Sequence, residues 1–313
     1  MFLLFIDTNA ACQTNSRHLS LKPLEAERFR YNSQLSLYQI STSLSKLIAI
    51  HAIEIEFVRP TLTLFRPCID LHQGKVKQIV GGSLNDEGAD TNYVSPYDST
   101  YYAELYRDNN LTGGHVIALG PGNKEAALNA LQAWPQGLQF GGGVNNENAA
   151  EFLEAGASHI IVTSYLFEGG QLSADRLEKI KRETGKEHLI LDLSCRRTDT
   201  GWNIATDRWQ TITETQITKE AIRELSGHCS EFLIHAADVE GLQAGIDQEL
   251  VKVLGEICEI PVTYAGGARH LDDLKEVHQL SNGKVDLTIG SALDIFGGNG
   301  VTLDECIEWN KRK

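Results

Sequence analysis

Short apolar, β-branched runs recur along the chain from residue 65 onward, and polar segments separate them. There are eight such runs: 65–70, 115–119, 137–140, 159–164, 188–193, 231–237, 261–266 and 285–290. Runs of this length, bounded by glycine, proline and polar residues, are typical of buried strands. Eight strands alternating with helical segments predict an α/β fold, a parallel (β/α)8 barrel over residues 65–313. An open, doubly wound sheet is the competing arrangement.

The segments between the runs have apolar residues at helical spacing. The clearest are 146–156, 173–185, 247–257 and 272–280. The long interval 71–114 is expected to hold an extended first loop, followed by a helix within 95–108.

The pattern repeats at one long period. An aspartate, a glycine and a serine in the first half each have a counterpart in the second, 122, 124 and 127 residues further on: Asp70 and Asp192, Gly142 and Gly266, Ser164 and Ser291. This repeat predicts two half-barrels, and it favours the closed barrel over the open sheet, which does not require it.

In a closed barrel of this kind, the active site forms at the carboxyl ends of the strands. Asp70 and Asp192 stand at the ends of strands 1 and 5, on opposite sides of the mouth. Glycine-rich segments follow strands 3, 4, 7 and 8, and glycine lets backbone N–H groups approach an anion closely. Two carboxylates between two such rims suit acid–base chemistry on a small molecule with a phosphate at each end. For either aspartate alone, capping of the next helix is the alternative.

Charge and cysteine content narrow the class of protein. The net charge is −14, and all of the negative excess lies after residue 64, because the first 64 residues carry six basic and five acidic side chains. Nucleic acid or an anionic membrane surface is therefore not an expected partner. The six cysteines are scattered without paired spacing, which predicts neither a disulfide framework nor a zinc site.

Residues 1–60 differ in composition from the rest. The stretch 10–46 contains seven serines and five basic residues but only two acidic ones, as in an organelle transit peptide. The alternatives are a disordered extension and a misassigned start codon. A transit peptide would direct the protein to the plastid stroma, and without one the cytoplasm is expected.

Several motifs together resemble one family, the isomerase of the fourth step of histidine biosynthesis in its eukaryotic, plant-type branch. The motifs are CIDLHQGKVKQIVGG (68–82), FGGGV (140–144), HAADVEGLQAGID (235–247) and PVTYAGG (261–267). The resemblance implies a monomeric barrel that converts a bis-phosphorylated aminoaldose into an aminoketose by an Amadori rearrangement. It implies proton transfer alone, without a metal or redox cofactor.

The resemblance also implies roles for individual residues. Asp70 corresponds to the general base that removes the C2 proton, and Asp192 to the general acid that protonates the ring oxygen. A donor must hold a proton, so a raised pKa is expected for Asp192. His235 would orient a carboxylate or shuttle protons, or would be an ordinary core histidine.

The remaining site residues are substrate contacts by the same resemblance. Lys77 is either such a contact or a solvated surface lysine, and Trp209 either stacks on the substrate's imidazole or packs in the rim. The phosphate contacts implied are Gly143, Thr163, Ser164, Gly266, Gly267, Gly290 and Ser291. Asn145 stands where an arginine is common in the bacterial branch, which removes a cation from the first phosphate loop.

Three other functions are compatible with these motifs. The sister barrel, the cyclase of the next pathway step, also has aspartates at strands 1 and 5. A phosphoribosyl-binding barrel that has lost catalysis could serve as a scaffold or sensor. The third function is dual activity, on this substrate and on the analogous anthranilate of tryptophan synthesis. No residue in the sequence favours it.

Overall fold

The computed structural model of the chain describes residues 62–80, 90–207 and 209–312, which belong to one compact unit. Its eight parallel barrel strands are Cys68–His72 (β2), Gly114–Ala118 (β5), Leu138–Gly141 (β6), His159–Val162 (β7), Leu189–Asp192 (β10), Glu231–His235 (β14), Val262–Ala265 (β15) and Val285–Thr288 (β16). The helices are Ser99–Asp108 (α1), Lys124–Ala133 (α2), Ala149–Glu154 (α3), Ala174–Thr184 (α4), Lys219–Ser226 (α5), Gln248–Ile257 (α6), Leu271–Ser281 (α7) and Leu303–Asn310 (α8). The predicted (β/α)8 barrel is confirmed.

The barrel closes through its first strand, which proline divides into two parts. Phe65–Arg66 (β1) pairs with β16, and β2 pairs with β5 on the other side. Pro67 between them has no N–H to donate, and its carbonyl accepts a bond from the His115 N–H at 3.0 Å. An ion pair between Arg66 of β1 and Asp286 of β16, at 2.7 Å, also joins these two strands where the barrel closes.

The apolar core has two parts. The larger one lies between the strands and the helices, where each helix contributes one apolar face; α6, for example, buries Leu250, Val251 and Leu254. The smaller one fills the inside of the barrel and consists of Ile161, Ile190, Leu233 and Ala265, with Ile117 packed against it. This inner layer is the floor beneath the carboxyl ends of the strands.

Below that floor lies a buried polar network. The Glu231 carboxylate accepts hydrogen bonds from Gln139 Nε2 at 3.0 Å and from Thr263 Oγ1 at 2.8 Å. Burial raises the pKa of Glu231, and the charge of Arg66 opposes that shift. The apolar layer therefore separates this network from the opposite end of the barrel.

Antiparallel extensions of the loops were not predicted. Within the interval expected to be an extended loop, Lys75–Ile79 (β3) and Thr91–Val94 (β4) continue the sheet beyond β2. After β10, the strands Cys195–Thr198 (β11), Gly201–Thr206 (β12) and Thr211–Gln216 (β13) form a separate three-stranded sheet, and Phe167–Glu168 (β8) pairs with Gln171–Leu172 (β9). Threonine at every second position of 211–216 was the available signal for the three-stranded sheet.

The predicted helices are present, with shifts of at most a few residues at their ends. The helix expected within 95–108 begins at Ser99, because the Asp98 side chain accepts a bond from the Tyr101 N–H and caps it. No helix of the described ranges is long and apolar enough to cross a membrane. The transit peptide predicted over residues 1–60 lies outside the described residues.

Candidate active site

The carboxyl ends of the barrel strands surround a cavity of about 440 Å³. Its lining includes the residues predicted for the site with the exception of Lys77: Asp70, Gly143, Thr163, Ser164, Asp192, Trp209, His235, Gly266, Gly267, Gly290 and Ser291. The cavity therefore brings together Asp192 at the end of β10, Asp70 two residues before the end of β2, and the glycine segments of both halves. This follows from the two-fold repeat, which places equivalent residues at equivalent positions of the rim.

Asp192 is buried and accepts three hydrogen bonds. Its Oδ1 accepts from Ser194 Oγ at 2.9 Å and from His235 Nδ1 at 3.3 Å, and its Oδ2 accepts from Thr163 Oγ1 at 3.0 Å. Burial would raise the pKa of Asp192, but the charge of His235 and these hydrogen bonds outweigh it and lower the pKa. The raised pKa expected for Asp192 is therefore wrong.

His235 is the cation of this pair. Burial disfavours its charged form, but the carboxylate of Asp192, with smaller contributions from Glu240 and Asp70, raises the pKa of His235 to about 9. The imidazole is thus protonated at neutral pH. The sequence predicted that Asp192 carries the proton. In the structure the proton belongs to His235, which is hydrogen-bonded to Asp192.

Asp70 has a different environment from its counterpart. Its Oδ2 accepts from Gln78 Nε2 at 3.0 Å, and the Cys68 thiol lies 3.7 Å from the same oxygen. Burial, reinforced by the negative charge of Glu240, raises the pKa of Asp70 to about 7. A carboxyl group with such a pKa exchanges protons readily near neutral pH.

Sequence reasoning missed four residues that line the cavity, namely Gln78, Cys68, His115 and Glu240. Cys68 and His115 are partners in the register of β2 and β5, so both point into the barrel with Asp70. Burial lowers the pKa of His115 to about 3, with a further contribution from the positive charge of His235. Alternation within FRPCID could have identified Cys68, but nothing local indicates Glu240.

The two glycine loops occupy equivalent places in the two halves. Gly142 has φ +102° and Gly266 has φ +129°, and a Cβ on either would meet the backbone carbonyl of the preceding strand's end, Ala118 and Ala236 respectively. Only glycine permits both the positive φ and this close approach. The loops are therefore held against the rim with their backbone towards the cavity.

Hydroxyl groups on both rims have partners of their own. The Thr163 hydroxyl donates to Asp192, and Ser164 Oγ accepts from the Asp207 N–H at 3.4 Å. On the opposite rim, Ser291 Oγ donates to Gln78 Oε1 at 3.3 Å. Among the described residues that line the cavity, none is a lysine or an arginine, so an anion there meets amide and hydroxyl donors.

Lys77 does not line the cavity with the other predicted residues. Its ammonium group donates to His72 Nδ1 and to Gln73 Oε1, both at 3.1 Å, at the turn between β2 and β3. Successive side chains of a strand point to opposite faces, so Gln78 rather than Lys77 reaches the carboxylate. The structure therefore places Lys77 apart from the other predicted site residues, and its contact with a substrate stays a prediction.

Trp209 lies in the turn between β12 and β13, beside the cavity. Its backbone has φ +65°, an uncommon conformation for a bulky residue, and its ring centroid is 6.1 Å from that of His235. The indole is half-buried, so one part of it faces the open space.

Two carboxyl groups of unlike pKa, a protonated histidine and two glycine loops at one mouth define a barrel enzyme equipped for proton transfer. The family model described as histidine biosynthesis protein matches residues 65–298. The chain belongs to this family, which confirms the resemblance found in its motifs.

Named relatives agree with that assignment. The chain is 59% identical to a protein of Neurospora crassa over 80% of its own length and 100% of the relative's, and 51% identical to one of Saccharomyces cerevisiae over 80% and 100%. A protein of Medicago truncatula is 48% identical, over 80% of this chain and 82% of the relative. All three are named 1-(5-phosphoribosyl)-5-((5-phosphoribosylamino)methylideneamino) imidazole-4-carboxamide isomerase, and the Medicago protein is also named chloroplastic.

Proposed function

We propose that this chain is the isomerase named for its relatives, an aldose–ketose isomerase of histidine biosynthesis. The observation that carries the proposal is the convergence of Asp70, Asp192 and both glycine loops on one cavity. Its substrate has a phosphoribosyl group at each end, so one phosphate would lie on each rim. Backbone N–H groups of Gly143 and of Gly266–Gly267 would bind these phosphates.

The reaction requires one group to donate a proton and another to accept one. Protonation of the ribose ring oxygen opens the ring and leaves a protonated Schiff base. Loss of the C2 proton then gives an enaminol, which tautomerises to the aminoketose. Each transfer moves one proton, and the overall change is an isomerisation without gain or loss of atoms.

Asp192 and His235 act together as the acid in this proposal. The pair holds one proton, located on His235, and Asp192 is hydrogen-bonded to it over 3.3 Å. Transfer from Nδ1 to the carboxylate would neutralise both groups, and Asp192 could then protonate the ring oxygen. His235 thereby supplies the proton that the low pKa of Asp192 keeps off the carboxylate in the free site.

Asp70 acts as the base. Because its pKa is about 7, the Asp70 carboxyl is ionised in a large fraction of molecules at neutral pH. The carboxylate is still basic enough to accept a carbon-bound proton from an activated intermediate. The hydrogen bond from Gln78 fixes one carboxylate oxygen, which leaves the other to face the substrate.

Conversion of the aminoaldose to the aminoketose without ammonia tests the function directly. We expect Asp70→Asn and Asp192→Asn each to lower kcat by about 10³-fold, as for loss of a general acid or base, while substrate still binds. Unchanged turnover in both variants would falsify the assigned roles. Consumption of the aminoketose only, and only with ammonia, would identify the sister cyclase instead.

Two further properties are part of this proposal. Residues 1–60 would act as a transit segment, supported by their composition and by the chloroplastic name of the Medicago relative. Fusion of these residues to a fluorescent protein would test it, and diffuse cytoplasmic fluorescence would contradict it. The enzyme would be monomeric, and a mass of about twice 34.5 kDa by light scattering would contradict that.

A further inference from the structure

Three groups that bind transition metals converge beside the proposed base. The Cys68 thiol, a carboxylate oxygen of Asp70 and a ring nitrogen of His115 all lie within 4.8 Å of one another. The sulfur is 3.7 Å from Asp70 Oδ2. All three residues also line the cavity, so an ion from solvent can reach them.

The strands themselves bring these groups together. Cys68 and Asp70 are two residues apart on β2 and therefore point to the same face, while His115 is the register partner of Cys68 on β5. Groups on adjacent strands keep their separation, because the backbone hydrogen bonds of the sheet fix it. The cluster is thus a property of the barrel wall and not of a loop.

His115 supplies the second observation. The residue is 2% exposed, and among the described residues its Nδ1 atom has no hydrogen-bond partner. A buried polar atom without a partner costs about 1–3 kcal/mol, and a ligand bound at that nitrogen would remove that cost. The role that we propose for Asp70 does not require an imidazole at this position.

We propose that Cys68, Asp70 and His115 bind Zn²⁺ and that the bound ion inhibits the enzyme by occupying Asp70. Zinc–ligand bonds of about 2.0–2.3 Å place tetrahedral ligand atoms about 3.5 Å apart. The ligand atoms lie within 4.8 Å of one another, so side-chain rotation must bring them closer by about 1.3 Å at most. When the S–Zn bond forms, the thiol proton leaves to water. The fourth position opens into the cavity and holds a water molecule.

The nature of the ligands selects the ion. Thiolate and imidazole favour Zn²⁺ and Co²⁺, whereas Mg²⁺ and Ca²⁺ prefer sites made of oxygen atoms. Binding itself is independent of the proposed reaction, because it depends only on the three side chains. Inhibition rests on the proposed function, since it requires Asp70 to be the base.

Titration of the full chain with Co²⁺ tests the binding, because a cobalt–thiolate bond gives a charge-transfer absorption band. We expect one equivalent of Co²⁺ to produce the band and Zn²⁺ to abolish it. Cys68→Ser should lose the band, and His115→Asn should weaken Co²⁺ binding at least about 10-fold. Circular dichroism and thermal unfolding would verify that both variants are folded.

Cys229→Ser is the matched control. Cys229 is also fully buried, but it precedes β14 at the opposite end of the barrel, and its thiol donates to the Leu225 carbonyl, a bond that serine can keep. This variant should retain the band. A band of equal intensity and affinity in Cys68→Ser would overturn the site.

Inhibition is measured separately on the wild type. Zn²⁺ should abolish turnover, a chelator should restore it, and saturating substrate should raise the apparent Kd for Zn²⁺ at least 10-fold. Co²⁺ binding with full activity would overturn the inhibitory role. An enzyme that shows the cobalt band but never converts the aminoaldose would instead contradict the proposed function.

Discussion

Gln78 donates a hydrogen bond to the Asp70 carboxylate over 3.0 Å, from a side chain that is 3% exposed. Its other amide atom, Oε1, accepts from the Ser291 hydroxyl at 3.3 Å. One side chain therefore links the proposed base to the rim that would hold a phosphate. An anion that draws the Ser291 hydroxyl towards itself would change the hydrogen bonding of Gln78, and through it the position of Asp70.

Gln78→Leu should lower kcat by about 10-fold, because a hydrogen bond to a charged group contributes about 1.5–3 kcal/mol and only part of it acts in the transition state. Steady-state kinetics on the aminoaldose would separate kcat from KM. Asn92→Ala is the control, since Asn92 donates to Ser291 at 3.2 Å but does not contact Asp70. It should change KM alone, and an equal loss of kcat in both variants would contradict a positioning role for Gln78.

The ion pair of His235 and Asp192 predicts a pH-dependent contribution to stability. The pKa of His235 is raised from 6.5 to about 9, so the folded state binds its proton more tightly than the unfolded state does. That contribution is fully present below the unfolded value and is lost as the pH rises through about 9. Asp70, Glu240 and His115 also face this ring, and they remain in the variant compared below.

His235→Asn should lower the free energy of unfolding by about 3 kcal/mol near pH 6, because it leaves a buried carboxylate without its cation. The difference from wild type should shrink above about pH 9. Urea denaturation at several pH values measures it. His188→Asn, which removes an exposed histidine bonded to the Ser158 carbonyl, is the control and should give only a small difference from wild type.

Substitution of Gly142 is predicted to lower the free energy of unfolding more than substitution of Gly143. Gly142→Ala places a methyl group on the Ala118 carbonyl, so it should lower the free energy of unfolding by more than about 3 kcal/mol. Gly143 has φ +70° with no atom within 4 Å of a Cβ. Gly143→Ala should therefore cost only about 1 kcal/mol of stability but raise KM, since the methyl group enters the space proposed for a phosphate.

Denaturant unfolding and substrate kinetics on the same two variants check this contrast. Equal destabilisation in both would show that the first loop relaxes around a methyl group. An unchanged KM in Gly143→Ala would remove that loop from the proposed phosphate sites.

Trp209 is predicted to contact the substrate. Trp209→Leu should raise KM by about 5-fold, in line with about 1 kcal/mol for an aromatic contact. Trp202→Leu is the control on the same three-stranded sheet, because its ring packs under Arg197 at 4.7 Å and its Nε1 donates to Asp247. Equal effects of the two substitutions on KM would show that substrate binding depends on the three-stranded sheet and not on the Trp209 ring.

Particular residues show how much of the site could be predicted from the sequence. Asp70 and Asp192 were placed correctly because a strand-end position in a parallel barrel has only one location, the mouth. Gln78 lines the cavity and Lys77 does not, because neighbours in a strand face opposite ways, and the sequence did not reveal which of the two faced inward. The sheet of β11–β13 was missed because it packs as an addition to the barrel and is not part of the repeat.

The sequence by itself determined the barrel, its two-fold repeat, and the two aspartates and glycine loops at its mouth, because these follow from periodic apolar runs and from equal spacing in the two halves. Only the tertiary structure decided how the two aspartates differ. The pKa of each depends on groups distant in the chain, His235 for Asp192, and Glu240 and Gln78 for Asp70. Burial and electrostatic interactions act through space, so a repeat in sequence does not preserve them.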